Sequence, residues 1–114
     1  IADVAHNADG VKQVVQQAAK ISFDQLHIVL GMVSDKDLDG VLSLFPERAF
    51  YYFCKADIPR GFNAEALKEK AGLFHLKGES YASVRMALDA AKNNASARDL
   101  ILITGSFFTV AEII

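Results

Sequence analysis

The chain has 114 residues, 52% of them apolar and 23% charged, and twelve basic against fourteen acidic residues leave a net charge of −2. That length predicts one domain, residues 1–114, with a core of its own, and the balance of charge argues against a nucleic-acid surface or a charged tail. Cys54 is the only cysteine, so no internal disulfide forms, and no apolar run approaches the roughly 18 residues that cross a bilayer. A cytoplasmic protein is the expectation. The chain begins without methionine, inside an apolar run, which suggests a piece of a longer protein.

In chain order, the opening "IADVA" reads as the tail of a strand. Val11, Val14, Val15 and Ala18 then follow helical spacing. "LHIVLGMV" (26–33) is a β-branched run of the kind buried on both faces of a sheet. Leu38, Val41, Leu42 and Phe45 predict a second helix, ended by Pro46. "AFYYF" (49–53) is the next strand. Asn63 can cap a short helix through Ala64, Leu67 and Ala71, closed by Gly72 at the position after the helix. "LFHL" (73–76) is a weaker strand. Ser80 is available as the cap of a helix through Val84, Ala87, Leu88 and Ala91. "DLILITG" (99–105) is a strong strand, and Phe107, Val110, Ala111 and Ile114 begin a last helix. The pattern predicts an α/β fold: an open, mainly parallel sheet of about five strands with helices on both faces.

Such sheets gather ligands beyond the carboxyl ends of their strands. The segments expected there are Asp3 to Asn7, "SDKDLDG" (34–40), "CKADIPRGF" (54–62), "KGES" (77–80) and "TGSFF" (104–108). Asp3 is an acid within or just after a buried strand, which is costly unless paired. Asn7 and Asp9 can equally cap the next helix. Gly105 and Ser106 read as a tight turn into a helix start, where free N–H groups attract anions, or as an ordinary turn with a serine cap. Lys36 at the ligand edge can hold an anion. Asp35, Asp37, Asp39 and Gly40 imitate the first half of a calcium loop, but its twelfth position, which should be a bidentate Glu, is Pro46. His27 and His75 have no partners at metal-ligand spacing and read as structural, and Cys54 reads as a small buried residue. Neither phosphate-binding glycine motif is present.

Four segments carry a resemblance. "DVAHNADGV" resembles the D-x-A-H-N-P signature that opens the C-terminal domain of the folylpolyglutamate synthase/dihydrofolate synthase family, relatives of the Mur peptidoglycan ligases. "GMVSDKDLDGVL" is similar to that family's G-x-x-x-D-K-D loop, "PRGFNAEAL" to its P-R loop, and "TGSFFTVAEII" to its G-S-F-x-T-V-A-E ending. The four stand in the family's order over nearly the whole chain. Ala8 departs from the usual proline after Asn7, and the chain ends where family members usually continue.

The resemblance implies the Rossmann-like C-terminal domain of an ATP-dependent ligase that joins L-glutamate to dihydropteroate or folate through an acyl phosphate. It implies that ATP binding involves Asp3, on the ribose, with His6 and Asn7 beside it. It implies that Lys36 and Ser106 hold glutamate carboxylates and that Asp35 orients Lys36; Arg60 receives no role. The phosphate loop, the Mg2+ ligands and most of the folate site are expected in an N-terminal ATP-binding domain, the partner of this one, and no catalytic residue is assigned within this domain alone. The isolated chain is accordingly expected to be inactive. The alternatives are a non-catalytic α/β interaction module with an apolar loop edge, and a receiver-like domain using Asp3 and Asp35 for a metal.

Overall fold

The computed structural model describes residues 2–3, 24–32, 38–55, 61–105 and 109–113. Among them six strands form one sheet, β1 (Ala2–Asp3), β2 (Leu26–Gly31), β3 (Phe50–Cys54), β4 (Gly78–Tyr81), β5 (Leu100–Gly105) and β6 (Thr109–Ile113), ordered β1-β6-β5-β2-β3-β4. Among the described residues three helices lie between them, α1 (Leu38–Leu42), α2 (Ala64–Gly72) and α3 (Val84–Asn94). β2 pairs in parallel with β3 and β5, and β3 with β4, whereas β6 is antiparallel to both β5 and β1. Five strands therefore point one way and β6 alone points back. The helix expected from Val11 to Ala18 lies outside the described residues.

Strand β2 is buried at every position, as its unbroken apolar run requires of a strand covered on both faces. Alternation along the strands sorts the core into two layers. Ile28, Leu30, Tyr51, Phe53, Leu100 and Leu102 face Leu42 of α1 and Leu67 and Ala71 of α2. Val29, Tyr52, Cys54, Ile101 and Ile103 face Ala87 and Ala91 of α3. Each large side chain buried here stabilises the fold by roughly 2 kcal/mol. Alanines on α3 let it approach the sheet closely, and the larger residues on the other face fill the space under two helices.

The last element departs from the expected helix. Phe107, Val110, Ala111 and Ile114 have helical spacing, yet residues 109–113 form a strand whose Thr109 pairs with Thr104 and whose Ile113 pairs with Leu100. Thr109, Val110 and Ile113 are β-branched and suit the pleat. The outer edge of β5 would otherwise present unpaired backbone groups beside the core. So short an apolar segment satisfies both periods, and the open sheet edge decides between them.

Three smaller shifts have local causes. Residues 73–76 form no strand: Leu73 to His75 turn the chain out of α2, and β4 begins only at Gly78. The cap of α3 is Ser83, whose hydroxyl accepts from the Met86 N–H at 3.1 Å, and Ser80 lies inside β4. Asn63 does cap α2, accepting from the Ala66 N–H at 3.0 Å. Gly72, expected just past that helix, is its last residue, and the left-handed conformation falls on His75 at φ 64°.

An L-residue costs about 1 kcal/mol in that region relative to glycine, and the His75 side chain is exposed. His75→Gly is therefore expected to raise stability by roughly 0.5–1 kcal/mol, whereas the β-branched His75→Val lowers it. Urea midpoints of the two variants measure the difference.

Candidate functional site

The chain steps outward from β2 to β3 to β4 on one side of the sheet and from β5 to β6 on the other. Strand order thus reverses between β2 and β5, where a sheet of this kind opens a ligand crevice beyond its carboxyl ends. Register fixes what meets there. Gly31 ends β2 beside Gly105, which ends β5. One level lower, a row crosses the whole sheet: Asp3, Thr109, Thr104, Leu30, Phe53 and Ser80. Asp3 and Thr104 flank Thr109 and stand two strands apart, about 10 Å. The first acid of the chain and the strand that leads to Ser106 therefore share one edge, although the sequence separates them by nearly its full length.

Of the residues expected to make the site, Asp3 lies on a described strand. His6, Asn7, Asp35, Lys36, Arg60 and Ser106 lie outside the described residues, as does Asp37. Their neighbours in the chain are placed: β2 leads to Lys36 from Gly31, and β5 leads to Ser106 from Gly105. The expected helix after Ser106 is replaced by β6, so a helix dipole at Ser106 is removed from its account. The calcium reading also fails on Asp39, which sits in the first turn of α1 and pairs with Lys70 of α2 at 2.9 Å. Among the described residues no three His, Cys, Asp or Glu side chains converge on a point that could hold a metal.

At the β3–β4 end of the same edge, Lys55, Asn63, Ala64, Glu65, Ser80, Tyr81 and Ala82 line a cleft of about 310 Å³. The Ser80 hydroxyl donates to Glu65 at 2.7 Å. The loop after β3 returns to the loop after β2, where the Phe62 N–H donates to the Met32 carbonyl at 2.8 Å. The lining mixes the polar groups of Lys55, Asn63, Glu65 and Ser80 with apolar surface. Among the described residues, the exposed large apolar side chains are those of Phe50 on β3, Leu73 in the turn after α2 and Met86 on α3. Asn63 and Glu65 went unnoticed as rim residues because in the sequence they read only as a helix cap and a helix surface.

Two residues singled out in the sequence prove structural. His27 is buried between Asp99 and Tyr52, at 2.8 and 2.9 Å, near the amino end of its strand and away from the crevice. Cys54 is buried under α3, and burial pushes its thiol up to about 11, which removes it from the nucleophiles active near neutral pH. His75 sits on an exposed turn, not beside a strand.

Comparison with known proteins fits this geometry. Residues 1–107 match the family described as Mur ligase, glutamate ligase domain. The chain belongs to that family. Among curated relatives of this glutamate ligase domain, a probable bifunctional folylpolyglutamate synthase/dihydropteroate synthase of Haloferax volcanii is 38% identical over 98% of the chain. The dihydrofolate synthase/folylpolyglutamate synthase of Escherichia coli is 36% identical over 99% of the chain. The chain spans 14% of the first protein's length and 26% of the second's. A crystal structure of the bifunctional folylpolyglutamate synthase/dihydrofolate synthase of Yersinia pestis, complexed with AMPPNP and a Mn ion, superposes with a TM-score of 0.78 at 30% identity. That match covers 91% of this chain and 25% of the other. The α/β fold with its mainly parallel sheet is thus that of the folate-ligase neighbours.

Proposed function

We propose that this chain is the C-terminal domain of a cytoplasmic, ATP-dependent ligase that joins L-glutamate to a dihydropteroate or folate carboxylate. The observation that carries the reading is the register. It sets Asp3, the β2 end leading to Lys36 and the β5 end leading to Ser106 along one edge, at the reversal of strand order. The sequence of the relatives supports it.

The donor set fits a nucleotide ribose: an ionised aspartate is an acceptor with two oxygens, and the ribose offers two vicinal hydroxyls. The magnesium that accompanies ATP is expected with the phosphates on a separate N-terminal domain. When bound, ATP supplies the phosphoryl group that activates the acyl carboxylate. The work of this domain is then placement. Asp3 fixes the ribose, with His6 and Asn7 next to it in the chain. Lys36 and Ser106 hold glutamate carboxylates, Lys36 being oriented by Asp35, so that the amine meets the acyl carbon as phosphate leaves. Positioning of this kind is worth about 7 kcal/mol or more, and closure of the two domains excludes the water that would hydrolyse an acyl phosphate.

In the parent ligase, Asp3→Ala is expected to raise the KM for ATP by roughly ten- to a hundredfold, the value of a hydrogen bond to a charged group at about 1.5–3 kcal/mol. The KM for glutamate changes little. An unchanged KM for ATP removes Asp3 from the ribose site. Amide formation by the isolated chain from ATP, glutamate and folate would overturn the division of labour.

A further inference from the structure

We draw no further inference here: the strongest candidate, the cleft between the carboxyl ends of β3 and β4 and the start of α2, is a surface recess whose exposed Lys55, Asn63 and Glu65 set a cation, an amide and a carboxylate beside apolar surface, and nothing in the structure shows what fills it.

Discussion

Alanine at Gly78 is expected to cost the domain about 3 kcal/mol, one of the largest losses available from adding a single carbon. A Cβ at this position would lie 1.9 Å from the carbonyl oxygen of Tyr51, 2.5 Å from its carbonyl carbon and 2.7 Å from its Cβ. These are mainly backbone atoms, so no side chain can swing aside. Gly78 opens β4 and pairs directly with Tyr51, whose amide donates to the Lys77 carbonyl at 3.2 Å. Tyr51 itself is held from several sides. Its ring stacks on Phe53 at 5.6 Å, meets Phe45 edge-on at 6.4 Å, and its hydroxyl donates to the Pro46 carbonyl. Relief of the clash must therefore either detach β4 or disturb the best-packed part of the core. Overpacking that moves backbone costs about 1–3 kcal/mol or more. For a domain of this size that lowers the melting temperature by roughly 10 °C. Gly72→Ala is the control, since nothing lies within 4 Å of the added carbon. Thermal melts of the two variants should differ by nearly the whole effect, and equal melts would show that β4 does not hold the register described.

Much of this architecture was legible because burial and periodicity agree. The runs at 26–31, 50–54 and 100–105 are continuous and β-branched or aromatic, and nothing but a covered sheet accommodates them. Asn63 declared its helix because its side chain has one local use. The errors fall where local signals tie and tertiary structure decides. Residues 107–114 fit a helix or a strand, and the bare edge of β5 made the choice. Residues 73–76 are as apolar as a strand, but Gly78 is the residue whose missing side chain permits close pairing with Tyr51. Ser80 and Ser83 are equally good caps in isolation, and the length of β4 selects the second. The rim could be foreseen from topology alone. What no local pattern disclosed was the level of each strand: that Asp3 and Thr104 flank Thr109, and that two glycines meet, follow only from the register.

Replacing His27 by leucine is expected to lower the melting temperature at neutral pH by roughly 10 °C, and the loss should shrink in acid. His27 and Asp99 are both 2% exposed. An ionised carboxylate only accepts, so Nε2–H of His27 donates to Asp99 Oδ2 at 2.8 Å, and Nδ1 takes the hydroxyl proton of Tyr52 at 2.9 Å. Asn94 donates in turn to the Tyr52 oxygen at 3.4 Å, and the Ser96 N–H donates to Asp99 Oδ2 at 2.9 Å. Four segments are tied through one imidazole, which Phe50 covers at 5.3 Å. Leucine fills the ring's place but leaves the Tyr52 hydroxyl without an acceptor and Asp99 short of a donor, beside an Oδ1 that has no partner among the described residues. The pH dependence follows from the carboxylate. The Ser96 N–H foremost, and His27 next, hold the Asp99 carboxyl below its ordinary 3.8. Its contribution is thus complete above that value and is lost as pH falls through the lower folded one. The variant has less of this contribution to lose, so melting curves of the two proteins should lie far apart near pH 7 and draw together as pH falls below the ordinary 3.8. A gap that stays constant with pH would mean that His27 acts through its shape alone. A gap that closes assigns its role to the hydrogen bond it donates to the Asp99 carboxylate, at the end of the sheet opposite the crevice.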